Sequence, residues 1–131
     1  SGLPASMSSV FLREQLRDRM GYQGLIITDA IDMKGYPQGE ERKEAVVTSF
    51  LAGVDLFAIG YGQDIQLDVL EALREGMETG RITEERIDAS VMRIIKAKAG
   101  LADVPEYSLE EAKKIFGSKE NRDAVSALLG N

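Results

Sequence analysis

The chain has 131 residues, with 16 lysines and arginines against 22 aspartates and glutamates, a net charge of −6 and 44% hydrophobic residues; this length suits one domain of the usual roughly 100–200 residues. Having neither cysteine nor histidine, it cannot build a disulfide, a thiolate nucleophile, a cysteine or histidine metal site or an imidazole base, so catalysis must use carboxylates, hydroxyls, amines or backbone. The acidic balance, with basic residues scattered through helical patterns, speaks against nucleic acid, and no apolar stretch approaches the roughly 20 residues that span a bilayer.

The opening Ser1-Gly2-Leu3-Pro4 lacks the basic and apolar regions of a signal peptide, and the chain reads as soluble with its compartment open. Ser8 or Ser9 is placed to cap a helix in which Leu12, Leu16 and Met20 recur on one face, with Gly21 to end it. Gly24-Leu25-Ile26-Ile27-Thr28 follows, an apolar run without polar alternation, as expected of a strand covered on both faces in a parallel sheet. Asp29 stands where that strand stops. Ala30 to Gly39 has the composition of a long loop. From Glu40 the pattern is helical, with Val46, Val47, Phe50 and Leu51 on one side and Gly53 at the end.

Val54 to Ile59 reads as a second buried strand, about thirty residues after the first, which is the spacing of a βαβ unit with parallel neighbours. Gly60-Tyr61-Gly62 turns into a helix whose buried face is expected at Leu70, Leu73 and Met77, ending at Gly80. Thr83 caps another helix carrying Ile87, Val91, Ile94 and Ile95, ended by Gly100. Ser108 with Glu111 forms a capping box for a short helix, and Ser118 to Leu129 reads as a last one. Asp103-Val104-Pro105-Glu106 is the candidate linker between a core unit and a helical tail. Two parallel strands normally belong to a wider sheet or barrel. The chain is therefore expected to be part of something larger, or to complete itself by association.

Asp29 is the sharpest chemical feature, a carboxylate just past the carboxyl end of a strand, the edge where ligand and catalytic groups gather in parallel α/β folds. A turn-capping role is the simpler alternative on position alone. Gly60-Tyr61-Gly62-Gln63 lies at the end of the second strand, where backbone N–H groups can meet an anion, yet it lacks the lysine and Ser/Thr of a phosphate loop and reads as a strand-to-helix turn. The apolar stripe of Ile87, Val91, Ile94 and Ile95 reads as core, and Arg81, Arg86, Arg93, Lys96 and Lys98 as a solvated outer face.

Leu3-Pro4-Ala5-Ser6-Met7-Ser8, Leu12-Arg13-Glu14-Gln15-Leu16 and the stretch Gly21 to Gly35 containing Thr28-Asp29-Ala30-Ile31-Asp32-Met33 resemble family 3 glycoside hydrolases. The likeness continues through Ala52-Gly53-Val54-Asp55-Leu56 and Gly80 to Ile94, so it covers most of the chain. It implies an α/β fold, a partial TIM (β/α)8 barrel of two parallel strands with surrounding helices: the helix after strand six, strand seven, its helix, strand eight and the closing helices. Residues 1–102 would be the C-terminal portion of the barrel domain, and 103–131 a helical tail leading out of it.

The resemblance makes Asp29 the nucleophile of a retaining reaction, with wording closer to the β-N-acetylhexosaminidase branch than to the β-glucosidase branch. It makes Met33 a wall of the sugar site, against a simpler role packing on the barrel rim; Tyr61, where the sequence departs from the family's usual wording, is expected from its place after the second strand to line the sugar or aglycone site of a complete barrel. Asp32 reads as a loop hydrogen-bonding or surface residue, and Lys34 as solvated. The resemblance places the acid/base on an earlier barrel loop in the hexosaminidase branch or in a following domain in the glucosidase branch, and the sugar-gripping groups upstream, so the isolated chain is expected not to hydrolyse glycosides. No cofactor is implied; the expected partners are a carbohydrate and either the missing barrel portion or a second copy. Two other readings stay open. The run Ile27 to Met33 also looks like the phosphoacceptor strand of a receiver domain, although the acidic pair and later lysine of that scheme are missing, and the chain could equally be an inactive associating scaffold.

Overall fold

The computed structural model describes residues 3–101 and 108–130. It divides into two units, Ser1–Ala99 and Gly100–Asn131; the linker expected at Asp103–Glu106 lies outside the described residues.

In the first unit a helical turn, Ala5–Met7, not expected from the sequence, precedes the expected helical segment, Val10–Arg19, whose N-cap Ser9 makes no side-chain capping hydrogen bond. The latter is wound as a π-helix, closed by Met20 N–H donating to Gln15 C=O at 3.0 Å. Leu12 and Leu16 are half-buried, whereas Met20, expected on the same face, is exposed.

The two apolar runs lie side by side and parallel. Asp55 N–H donates to Ile26 C=O at 2.8 Å, Thr28 N–H to Leu56 C=O at 3.1 Å and Ile31 N–H to Ala58 C=O at 2.9 Å. The expected pair of strands is nevertheless reduced to one parallel bridge, Ile27 with Leu56, among the described residues. The reason is local: two donors that would extend the ladder are taken by side chains. Ala58 N–H goes to Thr28 Oγ1 at 3.0 Å and Ile26 N–H to Asp55 Oδ2 at 3.0 Å.

Helix α1, Glu41–Ala52, buries Ala45, Val46, Val47, Phe50 and Ala52, while Glu41 and Glu44 in its first turn complement the helix dipole. Full burial of a side chain such as Val46 or Phe50 contributes about 1.5–3 kcal/mol. At its end Gly53 adopts φ 131°, a conformation that strains any other residue, and its N–H bonds to Ser49 C=O and Phe50 C=O. Helix α2, Gln63–Glu78, packs against α1. Its buried stripe is Ile65, Val69, Ala72 and Gly76, so the expected face is corrected: Leu70 and Met77 are exposed and Leu73 only borders the core. Arg42 to Asp68 and Lys43 to Glu71, each at 2.8 Å, tie the polar margins of the two helices together.

Helix α3, Glu84–Ala99, begins where Thr83 Oγ1 accepts the Arg86 N–H at 3.3 Å. Ile87 and Ile94 are half-buried, Val91 and Ile95 are exposed, and Ser90 alone in this helix is fully buried. The expected apolar stripe is therefore only partly covered. The second unit holds α4, Leu109–Ile115, and α5, Lys119–Leu129. The Ser108–Glu111 capping box forms as read from the sequence, and Ser118 Oγ accepts the Asn121 N–H to start α5.

Candidate functional site

Asp29 follows directly on the paired segment, past Thr28, and is exposed. Its Oδ1 accepts the N–H of Ala30 at 2.8 Å, which fixes the carboxylate against its own turn. Among the described residues it has no ion-pair partner. It opens onto a cavity of about 330 Å³, with Pro4, Ala5 and Ser6 on one side and Met33, Gly35 and Tyr36 on the other. The amino-terminal helical turn is thus what gives the cavity its second wall.

The loop carrying Met33 is held by one side chain. Gln38 Nε2 donates to the carbonyls of Ile31, Met33 and Tyr36 at 3.1, 2.9 and 2.7 Å, while Gln38 Oε1 accepts from Arg42 on α1 at 2.7 Å. Beneath the loop Ile31 is wholly buried and Tyr36 nearly so, its hydroxyl 3.0 Å from Ser49 Oγ. Burial raises the Tyr36 phenol above its usual value, opposed by the Ser49 hydrogen bond and by Arg42. Met33 remains half exposed at the cavity rim.

Asp29 and Met33 therefore share one cavity. Tyr61 does not line it, and at 83% exposure it projects into solvent. The two loops are nonetheless joined, because Asp32 Oδ1 accepts the N–H of Gly60 at 2.7 Å. The hydrogen-bonding role expected of Asp32 is what is found, with a partner twenty-eight residues away. A carboxylate held at the mouth of a cavity, with one oxygen committed to a backbone N–H, can attack an electrophilic carbon or cap a turn; the geometry alone permits both.

At the opposite end of the paired segments lies a group that sequence reading passed over. The Asp55 side chain is fully buried and surrounded by donors: Arg17 at 2.9 Å, Arg93 at 3.1 Å, Ser90 Oγ at 2.6 Å and the Ile26 N–H at 3.0 Å, with Arg86 at 3.8 Å. The signal for it was present, since an acid inside the apolar run Val54 to Ile59 must be paired if that run is buried. Arg86 also donates to Phe50 C=O and Val54 C=O at 2.7 and 2.6 Å, closing the carboxyl end of α1. Burial, with Arg93, Arg13 and Arg17 adding to it and Asp55 opposing, lowers the Arg86 guanidinium to about 10. Arg86 and Arg93, expected on a solvated outer face, are thus inward-facing.

Residues 1–97 match the glycosyl hydrolase family 3 N-terminal domain. β-Hexosaminidase A of Pseudoalteromonas piscicida is 33% identical over 125 residues, covering 91% of this chain and 21% of that protein. A β-N-acetylglucosaminidase/β-glucosidase of Cellulomonas fimi is 35% identical over 99 residues, covering 76% of this chain and 17% of that protein. Among solved structures, the family 3 β-N-acetylglucosaminidase from Paenibacillus sp. str. FPU-7 superposes with a TM-score of 0.74 at 33% identity, covering 83% of this chain and 21% of that one. The chain spans about a fifth of the length of these relatives. On these grounds it belongs to the glycosyl hydrolase family 3 N-terminal domain family, as part of that barrel domain.

Proposed function

We propose that this chain is the nucleophile-bearing segment of a retaining glycoside hydrolase acting on β-N-acetylglucosaminides, within a (β/α)8 barrel of which residues 24–28 and 54–59 are the last two strands. The observation that carries the reading is Asp29 opening onto its cavity directly after the paired segment. Asp29 attacks the anomeric carbon to give a covalent glycosyl-enzyme, which water then hydrolyses. Retention in its usual form needs a second group about 5–5.5 Å away to protonate the leaving oxygen and then activate water. The 131 residues include no histidine, and among the described residues no second carboxylate lines the cavity. The acid/base therefore comes from outside this chain. Met33 forms a wall against the sugar, and Tyr61 meets the aglycone if its loop closes over the mouth.

In a longer protein that carries this segment, Asp29→Asn lowers kcat on an aryl N-acetylglucosaminide by at least about a thousandfold, and a slow 5-fluoro glycosyl fluoride that keeps the 2-acetamido group labels Asp29 by mass. Label on another residue would sink the assignment. The 131-residue chain alone shows no turnover. Family membership leaves the receiver-domain reading without an observation in its favour.

A further inference from the structure

Three of the arginines around Asp55 also line a second pocket, of about 240 Å³, formed by Arg13, Arg17, Asp18, Gly53, Arg86 and Arg93. Four guanidinium groups line it against one carboxylate, Asp18, and even with the buried Asp55, which pairs with Arg17 and Arg93, the balance is four positive charges against two negative. In a chain with a net charge of −6 this is a local reversal of sign.

The donors are not all used. Arg86 is consumed by Phe50, Val54 and Ser90, so it supplies charge and no free N–H fork. Arg17 gives Nη1 to the carbonyls of Tyr22 and Gly24 and Nη2 to Asp55, leaving Nε unbonded. Arg93 is bonded through Nη1 alone, to Asp55 and Ala89 C=O. Arg13 is exposed and makes no hydrogen bond or ion pair among the described residues. Unused N–H groups of three arginines thus border one open pocket. Guanidinium forks match oxyanions in both geometry and charge. The walls offer no aromatic or apolar side chain, so nothing there would hold a base or an organic tail.

We infer that this pocket binds a small multiply charged inorganic oxyanion of the phosphate or sulfate class, held by Arg13, Arg17 and Arg93 at the end of the β segments opposite Asp29. The ion offsets repulsion among arginines that Asp55 alone leaves uncompensated. Burial first of all, and then the neighbouring Arg93, Arg13 and Arg17, lower the Arg86 guanidinium to about 10, with Asp55 opposing. The site is independent of the glycosidase chemistry, and neither inference needs the other.

The test is calorimetric titration of the 131-residue chain with inorganic phosphate, ionic strength held constant with sodium chloride, alongside thermal melting in the two salts. Saturable one-to-one binding and a higher Tm in phosphate are expected. Arg13→Gln, which breaks no internal hydrogen bond or ion pair, weakens phosphate binding about tenfold, the loss of a charge-assisted hydrogen bond, and does not lower the Tm in chloride, because it removes one of the mutually repelling charges. Asp18→Asn strengthens binding. Equal phosphate response in the parent and Arg13→Gln, or a Tm that follows ionic strength whatever the anion, overturns the site.

Discussion

Tyr36 carries two burdens, a wall of the Asp29 cavity and a buried hydroxyl bonded to Ser49. Because burial raises its phenol above 10.0, the fold favours the neutral form. That contribution is complete below pH 10 and is lost as pH rises through the folded-state value. Tyr36→Phe should cost about 1 kcal/mol at neutral pH through the unpaired Ser49 hydroxyl. The stability gap between parent and variant, from urea melts, then narrows above pH 10. Taking the difference cancels Arg86, which titrates near 10 with the opposite sign; a gap independent of pH would show that burial does not control the phenol. At this scale the sequence was informative where a residue's role depends on its neighbours in the chain. Asp29 follows an apolar run and is found at its end. Asp32 and Gly60, or Asp55 and Arg93, are bonded across 28 and 38 residues, and no local pattern encodes those pairs.

Helix α2 shows why an element can be legible while its orientation is not. Its sequence offers two adjacent apolar stripes, and the larger residues Leu70 and Met77 suggest the wrong one. The buried stripe narrows to Ala72 and Gly76 because the neighbouring packing comes close there. A Cβ on Gly76 would lie 2.6 Å from Ile82 Cδ1 and 3.7 Å from Val47 Cγ2. Gly76→Ala is therefore expected to destabilise by about 1–3 kcal/mol through overpacking, although alanine is the better helix former by about 1 kcal/mol. Chemical denaturation decides between these opposed terms; a more stable variant would mean that Ile82 moves aside at little cost. The β segments carry a related lesson. Their apolar composition predicted strands, and their pairing is parallel as expected, but Thr28 and Asp55 divert the backbone donors that would lengthen the ladder.

For the first unit as a whole, Asp55 is the residue on which separate elements converge. It accepts from Arg17 of the Val10–Arg19 segment, from the Ile26 backbone, and from Ser90 and Arg93 of α3. Asp55→Asn leaves those arginines without their counter-charge, and a loss of about 3–5 kcal/mol is expected, read as a lower urea midpoint; a loss below 1 kcal/mol would mean that solvent already screens the cluster. Composition ruled out thiol and imidazole chemistry, and ordered motifs pointed to the family. The packing around Asp55 was hidden because its partners are dispersed as single arginines through helical patterns.

One carboxylate joining four stretches of backbone also affects how this unit comes apart. Neither the Val10–Arg19 segment nor α3 can peel away without stranding a charge in the interior, so fraying from the amino-terminal side is penalised as heavily as rupture at the centre. Heat and denaturant should accordingly release residues 10–93 in one cooperative step, a behaviour shorter segments inherit from a shared ion and not from the length of any helix.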